Sequence, residues 1–209
     1  MSRTTDHRRQ HWDAVYGRVD TTQVSWYQRE PRISLDLIRA SGVGALDPIV
    51  DVGGGASALV DRLLEAGHRD VTVLDVSARA LAASRRRLDE RADQVTWVIA
   101  DLLDWQPERR YRLWHDRAVF HFLTSPDDQA RYLSVVESAL RSDGYLIIGT
   151  FAADGPQTCS GLPTARYTPD DLAERFPGFT MRLHHREEHQ TPGGAIQPFT
   201  WVLLSTDQT

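Results

Sequence analysis

The chain of 209 residues contains no lysine, because all 24 of its basic residues are arginine. This absence excludes a lysine general base, a lysine Schiff base and the lysine of a phosphate-binding loop. A single cysteine, Cys159, excludes an internal disulfide bond and a metal site built from several cysteines. Any chemistry must therefore come from other side chains and from the backbone.

Long apolar runs and an excess of positive charge are missing as well. No segment reaches the ~18 consecutive apolar residues of a membrane span, and the polar N-terminal segment lacks the apolar stretch of a secretion signal. The net charge is −5, so no overall positive field would attract nucleic acid. We expect a cytoplasmic protein, a monomer or a homodimer, that acts on neither membranes nor nucleic acid.

Short segments rich in β-branched residues alternate with amphipathic helical patterns from residue 48 onward. This alternation predicts a parallel sheet with helical crossovers. Near the C-terminus, two strand patterns flank a Thr-Pro-Gly-Gly turn and predict an antiparallel hairpin. The predicted strands are 48–52, 71–75, 95–100, 111–115, 145–151, 178–188 and 196–205, and the predicted helices are 7–16, 31–40, 56–66, 78–91, 127–141 and 170–176.

The length and the number of these elements predict one domain over residues 1–209. Residues 48–205 would form its core, and residues 1–47 a helical lead-in with the loop 17–30 between its two helices. Aromatic clusters around Trp12 and Trp26 allow two interpretations of the lead-in. It is either a lid folded across a cleft, which would shield a reaction from water, or a pair of helices packed on the sheet edge.

The most informative motif is Ile49-Val-Asp-Val-Gly-Gly-Gly-Ala-Ser, an apolar strand that runs through three glycines into a helix. Glycine has no Cβ, so a ligand can lie directly against such a turn, facing the N–H groups of the helix start. Gly53, Gly55 and Ala58 match the dinucleotide-binding fingerprint, and Asp75 follows at about the 20-residue distance where that fingerprint has an acid. Taken alone, this pattern fits NAD and S-adenosylmethionine equally.

Three further features favour S-adenosylmethionine. Asp51 precedes the glycines, where a carboxylate suits an ammonium and a sulfonium group better than a pyrophosphate. Asp101 ends the third strand, where it can accept a hydrogen bond from an adenine amino group. The predicted C-terminal hairpin also takes the place of a second nucleotide-binding half.

These residues resemble the class I S-adenosylmethionine-dependent methyltransferases over roughly residues 45–205. The resemblance implies a single-domain, Rossmann-like α/β fold, with a mostly parallel seven-stranded sheet and a C-terminal antiparallel hairpin. It also implies S-adenosylmethionine as cofactor and S-adenosylhomocysteine as product, with Asp75 on the ribose hydroxyls and Asp101-Leu102 at the adenine. The cofactor-binding residues implied are Asp51, Gly53, Gly54, Gly55, Asp75, Val76, Asp101 and Leu102.

Polar residues crowd the end of the fourth strand, which faces the methyl group in the methyltransferase layout. The predicted catalytic residues are His115, Asp116, Arg117 and His121. The Asp-Arg pair followed by apolar residues is similar to a segment of thiopurine-type and related small-molecule methyltransferases. Either histidine could act as general base, with Asp116 orienting an imidazole or pairing with Arg117. The alternatives are an internal Asp116–Arg117 ion pair that fixes the loop, and histidines that only pack.

Loops at the same sheet edge, together with the lead-in, are expected to contact the substrate. The residues predicted for this role are Trp26, Tyr27, Cys159, Arg166 and Tyr167. No metal is expected, because the histidines and acids of the strand pattern 178–188 have no ligand spacing that defines a site. The alternation of that strand predicts one shared face for Phe179, Met181, Leu183, His185 and Glu187.

The sequence as a whole predicts methyl transfer from S-adenosylmethionine to a nucleophilic sulfur, nitrogen or oxygen atom of a small molecule. A protein side-chain methyltransferase is the first alternative, because the lead-in is similar to a branch of class I enzymes that includes protein-lysine methyltransferases. An enclosed pocket near Asp116 would favour the small molecule, and an open groove the protein substrate. More distant alternatives are an NAD-dependent oxidoreductase and a non-catalytic cofactor-binding module.

Overall fold

A computed structural model describes residues 3–206, so residues 1–2 and 207–209 of the predicted domain lie outside the described range. The helices are α1 (Arg3–Arg18), α2 (Arg32–Ser41), α3 (Leu59–Glu65), α4 (Ala78–Leu88), α5 (Pro126–Ala139) and α6 (Pro169–Ala173). The strands are β1 (Ile49–Val52), β2 (Val71–Asp75), β3 (Val95–Ile99), β4 (Tyr111–Arg117), β5 (Leu140–Phe151), β6 (Thr158–Cys159), β7 (Leu162–Pro163), β8 (Phe179–Gln190) and β9 (Ile196–Thr206).

Seven strands form one sheet in the order β3-β2-β1-β4-β5-β9-β8. Strands β1 to β5 run parallel, whereas β9 is antiparallel to β5 and β8 is antiparallel to β9. This topology confirms the predicted fold class, including the C-terminal hairpin. The short ribbon β6–β7 was not predicted and lies in a segment whose sequence indicates only a loop.

The inner strands of the sheet are buried on both faces, as β1 illustrates. β1 is buried along its whole length, and its residues alternate between two core clusters. Ile49 packs with the cluster that includes α2 and α3, and Val50 with the cluster that includes α5 and α6. Helices on both faces of a parallel sheet give this arrangement, and a strand buried on both sides is continuously apolar.

Capping residues fix where several helices begin. Ser77 accepts a hydrogen bond from the N–H of Ala80 and starts α4 directly after β2. Ser125 does the same for α5, whose first residue is a proline, and Thr168 forms a capping box with Asp171 at the start of α6. Such caps stabilise a helix start by about 1 kcal/mol each. The helices therefore leave the sheet at fixed positions next to the strand ends.

The boundaries of some elements differ from the predicted ones. β4 continues to Arg117 because that residue still pairs with Gly149 of β5. The helix predicted over 78–91 ends at Leu88, and a 3₁₀ helix (89–94) follows it. α1 is longer than the predicted 7–16.

The register of β8 contradicts the prediction that five alternating residues share a face. A β-bulge between Met181 and Leu183 shifts the pairing with β9 by one residue. Phe179 and Met181 pack in one core cluster, whereas Glu187 accepts a hydrogen bond from Trp201, which belongs to the opposite cluster. A bulge reverses the alternation of every residue that follows it.

Candidate active site

The carboxyl ends of the five parallel strands lie in a row along one edge of the sheet. A cavity of about 350 Å³ follows this edge. Its wall contains one residue from each strand end, in the sheet's own order: Asp101, Asp75, Gly53, Arg117 and Phe151. Ligands of open α/β sheets bind at this edge. The row gives the cavity an acidic half beside β3 and β2 and a second half beside β4 and β5.

The glycine turn forms the floor between the two halves. Gly53 and Gly55 have φ angles of 65° and 41°, a left-handed region that side-chain-bearing residues rarely adopt. A Cβ atom on Gly55 would lie 2.8 Å from a carboxylate oxygen of Asp75. Glycine at this position therefore lets the turn pack directly against the end of β2, and of the three glycines only Gly53 lines the cavity.

Asp75 is buried at the end of β2 and accepts a hydrogen bond from the N–H of Ser77 at 2.7 Å. Burial raises the pKa of its carboxyl to about 7, and the like charges of Asp51 and Asp13 contribute in the same direction. The carboxyl lines the cavity together with the side chain of Val76. A ligand hydroxyl that donates to Asp75 would stabilise its charged form.

Asp101 ends the acidic half. One carboxylate oxygen accepts from the N–H of Leu103 at 3.1 Å and caps the 3₁₀ helix 102–104. The other accepts from Arg8 of α1 at 3.1 Å, and Arg8 also bonds Asp128 at 2.8 Å. Leu102 lies beside Asp101 in the cavity wall. Arg8 thus joins the lead-in to the acid that the sequence indicates for adenine.

Asp51 and His115 form a buried array with Ser34 of α2. The Nδ1 atom of His115 lies 2.7 Å from the carboxylate of Asp51, and its Nε2 atom lies 2.9 Å from the hydroxyl of Ser34. All three side chains border a smaller cavity of about 40 Å³ on the other side of Gly53, which Tyr27 also lines. The main cavity reaches neither Asp51 nor His115. The predicted role of His115 as a general base thus has no support from its position.

Asp116 holds a turn rather than a reacting group. It is fully buried and accepts hydrogen bonds from the N–H groups of Val119 and Phe120 and from the hydroxyl of Tyr132, the last at 2.7 Å. Burial raises its pKa to about 6. It contacts neither cavity and forms no ion pair with Arg117, so both predicted roles are corrected for the described residues. The turn it fixes includes a left-handed residue, Ala118, with a φ angle of 71°.

Arg117 projects from the end of β4 into the cavity. Its Nη1 atom donates to the carbonyl of Trp26 at 2.9 Å, and its guanidinium lies 4.7 Å from the ring centre of Phe199. Its Nε and Nη2 atoms are buried, and no residue within 3–206 accepts a hydrogen bond from them. Burial lowers the pKa of the guanidinium, and the nearby charge of Glu187 opposes that effect. The guanidinium is therefore fixed in place in the cavity wall, while its Nε and Nη2 atoms have no acceptor among the described residues.

His121 lies on the 3₁₀ helix 120–122, which comes shortly after Arg117 in the chain. Its side chain is fully buried in the cavity wall. Its Nδ1 atom accepts from the N–H of Phe151 at 3.4 Å, and its Nε2 atom has no partner among the described residues. Burial, and then the charge of Arg117, lowers its pKa to about 3. The imidazole is therefore neutral near pH 7, and its Nε2 carries the proton because Nδ1 accepts.

Aromatic side chains close the half of the cavity beyond β4. Phe199 of β9 pairs with Phe151 across the sheet, and their ring centres are 5.0 Å apart. Trp12 of α1 packs edge-on against Phe122 at 5.2 Å and against Trp26 at 5.8 Å. We call this part of the cavity the aromatic chamber. Cys159 and Leu162 of the β6–β7 ribbon complete its wall.

The structure places the remaining predicted substrate residues in different surroundings. Trp26 lines both cavities, whereas Tyr27 lines only the smaller one. Cys159 reaches the chamber, and burial raises the pKa of its thiol. Arg166 and Tyr167 lie outside both cavities, since Tyr167 is buried against Phe120 and its hydroxyl accepts from a glutamine of α5.

Several residues of the cavity were not predicted as site residues. They are Arg8, Tyr16, Phe122, Phe151, Gln197 and Phe199. The two from β9 carry no local signal, because only the antiparallel register of β5 and β9 brings Phe199 beside Phe151. Arg8 and Tyr16 belong to α1 of the lead-in. The aromatic residues of the lead-in indicated a position near the cleft, but they did not indicate which side chains would line it.

The described residues also bear on metal binding and on membranes. No group of three or more histidine, cysteine, aspartate or glutamate residues within 3–206 has the arrangement of a metal site. Of the helices in the same range, none combines the length and the apolar character that crossing a membrane requires.

Comparison with known proteins agrees with this geometry. Residues 49–144 match the model of the methyltransferase domain family. No curated protein matches the sequence significantly.

Many solved structures share the fold. One, described as the conversion of a disulfide bond into a thioacetal group during echinomycin biosynthesis, has a TM-score of 0.78 and 18% identity over 97% of this chain and 93% of its own. The N-methyltransferase NodS from Bradyrhizobium japonicum with S-adenosylhomocysteine has a TM-score of 0.73 and 18% identity over 96% and 98%.

A third structure is the 1,6-didemethyltoxoflavin N1-methyltransferase from Burkholderia thailandensis, with a TM-score of 0.68 and 21% identity over 97% of this chain and 85% of its own. At these identities the likeness establishes the fold. The family match over residues 49–144 covers the glycine turn and the strand-end acids of the cavity. The chain therefore has the Rossmann-like α/β fold of S-adenosylmethionine-dependent methyltransferases, and its residues 49–144 match a methyltransferase domain.

Proposed function

We propose that this protein transfers the methyl group of S-adenosylmethionine to a nucleophilic nitrogen, sulfur or oxygen atom of a small molecule. The observation that carries the proposal is the single cavity that joins the acidic half to the aromatic chamber. The first half suits a nucleoside with hydroxyl and amino groups to donate. The second, the aromatic chamber, is lined mainly by apolar side chains, and it begins where the acidic half ends.

The residues present fit the cofactor. The carboxylate of Asp75 lines the cavity beside Gly53 and would accept from ribose hydroxyls. Asp101 would accept from the adenine amino group with the oxygen capacity that Arg8 and Leu103 leave free, and Leu102 would cover the ring. Asp51 borders the smaller cavity on the other side of Gly53, so it would contact the positively charged amino-acid end only where that end enters the smaller cavity. With the cofactor held in this way, its methyl group would lie on the side of Arg117, which follows Gly53 in the row of strand ends.

When bound, the cofactor supplies a methyl group already activated by its sulfonium. The chain's own residues have to bind, orient and keep water away. The aromatic chamber does the last of these through Trp12, Phe122 and Phe199. His121 has a pKa of about 3 and is a weak base, so the acceptor atom reacts through a lone pair it already has, or loses its proton to solvent.

Nitrogen is the acceptor atom that two of the structural relatives favour. NodS and the toxoflavin enzyme are both named N-methyltransferases. A small acceptor is preferred over a protein because lead-in residues Arg8, Trp12, Tyr16 and Trp26 cover the cavity, where a protein side chain would need an open groove.

A screen with a labelled methyl donor tests the proposal. The purified protein is incubated with amines, thiols, phenols, nitrogen heterocycles and bulk cell protein, and the label in each product is counted. We expect label in a small-molecule fraction. Labelling of protein alone would favour the protein-methyltransferase alternative, and saturable binding of NAD without binding of S-adenosylhomocysteine would reject both.

A further inference from the structure

The guanidinium of Arg117 is a buried cation without a carboxylate partner. No ion pair joins it to an acidic residue within 3–206, although Glu187 acts on it through space. Both oxygens of Glu187 are engaged, by Gln28 at 2.5 Å and by Trp201 at 2.8 Å. A buried charge is costly unless it is paired and hydrogen-bonded. Two buried nitrogen atoms of Arg117, Nε and Nη2, have no acceptor and therefore point to a ligand that brings both an acceptor and a negative charge.

His121 adds a third donor to the same cavity. Its Nε2 atom is buried without a partner, and its ring is fully enclosed. Because Nδ1 accepts from the N–H of Phe151, Nε2 bears the proton and can only donate. Arg117 and His121 thus present donors and no acceptor to whatever occupies the chamber.

The walls around these donors are apolar and largely flat. The rings of Phe122, Phe151 and Phe199, with Trp12 and Trp26, line the chamber. Phe199 also stacks against the guanidinium of Arg117 and leaves its edge free. The carbonyl of Trp26 fixes the remaining side of the group, so the donors are oriented before a ligand arrives.

We infer that the acceptor of this enzyme is a flat, apolar molecule that carries a carboxylate or a comparable oxyanion, held by the edge of Arg117 and by His121. The inference rests on the proposed function and deepens it, because it names the chemical class of the methyl acceptor. A planar guanidinium binds a carboxylate through two parallel hydrogen bonds. The aromatic walls accept the rest of the molecule.

Matched pairs of aromatic acids and amides test this inference without any turnover. Benzoate, benzamide, 2-naphthoate and 2-naphthamide are titrated into the protein loaded with S-adenosylhomocysteine, by calorimetry or by the fluorescence of Trp12 and Trp26. We expect each acid to bind about 10- to 100-fold more tightly than its amide, the usual range for a charge-assisted bidentate pair. Arg117→Met should abolish that preference, and Arg117→Lys should retain part of it.

Arg112→Met is the matched control. Arg112 lies on the same strand and also stacks on an aromatic ring, that of Tyr145 at 5.1 Å, but it pairs with Asp143 outside the cavity. The control should keep the full preference for acids, and His121→Phe should reduce it by roughly fivefold, the value of one neutral hydrogen bond. Thermal melting shows whether each variant is folded.

Equal binding of acids and amides, a preference that survives Arg117→Met, or no binding of any acid would each overturn the inference. Its failure is separable from that of the proposed function. Methyl transfer to amines or thiols without any preference for acids would reject the inference alone. Acid binding that depends on Arg117 in a protein that transfers no methyl group would reject the proposed function.

Discussion

The two halves of the cavity place their polar groups in different ways. In the cofactor half, Asp75 and Asp101 each accept a hydrogen bond from a backbone N–H two residues further along the chain. In the acceptor half, Arg117 is held by a carbonyl from a residue 91 positions away. The first half is therefore built by local turns, and the second by contacts between distant segments.

This difference indicates what each half can change. A carboxylate that is oriented by its own turn keeps its position whatever packs around it, which suits a constant cofactor. The aromatic chamber takes walls from β5, β9, the ribbon and the lead-in, so substitutions in any of these can reshape it. Variants in one half should leave the function of the other half intact.

The largest expected effect concerns Asp116, which fixes the turn after β4. Asp116→Ala should lower the free energy of unfolding by about 3 kcal/mol or more, because it removes the acceptor of two backbone N–H groups and of the Tyr132 hydroxyl proton in the core. Urea unfolding measures the change. The exposed Asp154→Ala serves as control and should stay within about 0.5 kcal/mol. An Asp116→Ala protein of unchanged stability and lost activity would restore the catalytic role.

The next effect belongs to the cofactor half alone. Asp75→Ala should weaken the binding of S-adenosylhomocysteine by about 1–3 kcal/mol, the range for a lost hydrogen bond to a charged group. Calorimetry measures the affinity, and Asp70→Ala, at the other end of β2, is the control. The preference of the same variant for aromatic acids over amides should be unchanged. Unaltered cofactor affinity would remove Asp75 from the site.

The halves should also respond to pH in opposite directions. The pKa of Asp75 is raised from 3.8 to about 7, so the folded state holds a proton that the unfolded state releases, and stability falls as pH rises through that window. The pKa of His121 is lowered from 6.5 to about 3, so stability falls as pH drops below 6.5. Each group changes the slope by up to about 1.4 kcal/mol per pH unit.

Urea unfolding of the protein without cofactor at several pH values between about 5 and 7 measures these slopes. Asp75→Asn should make the dependence on pH more positive than in the wild type, because it removes the group that favours low pH. His121→Phe should make it less positive. Parallel curves for all three proteins would show that neither group titrates as its surroundings predict.

The smallest expected effect is on turnover. His121→Phe should lower turnover by roughly tenfold, the value of one oriented donor, and leave the affinity for S-adenosylhomocysteine unchanged. The exposed His184→Phe is the control. A loss of 100-fold or more, with a wild-type rate that falls below about pH 6.5, would instead indicate a general base.

The common edge of Gly53, Asp75 and Asp101 in the acidic half was predictable because its signals are local. Strand ends, the glycine turn and the acids that follow them lie within short segments, and their common edge follows from a parallel sheet. The role of Asp116 was not predictable. The side of the sheet on which its side chain lies depends on the register of β4, and its partner Tyr132 comes from α5. The alternation of residues along the sequence predicts neither the register of β4 nor the contact with Tyr132.

In the half beyond β4, too, the sequence alone did not predict which residues line the cavity. Arg166 and Tyr167 follow β5 at the expected edge, but a bridge between Ala152 and Tyr167 pins the loop so that Tyr167 turns into the core. Phe199 reaches the chamber through strand pairing with a residue 48 positions earlier, Phe151. The position of such residues depends on pairing between strands that are far apart in the sequence.

The bulge in β8 has a consequence for how copies of this chain meet. β8 is the outermost strand next to β9, and after the bulge it exposes a run that contains His184, His185, Arg186 and Glu188. Outer strands that are irregular and charged resist pairing with a strand of another molecule. The sheet therefore terminates at β8, which protects the strand behind it, the one that carries Phe199, from intermolecular β-sheet growth.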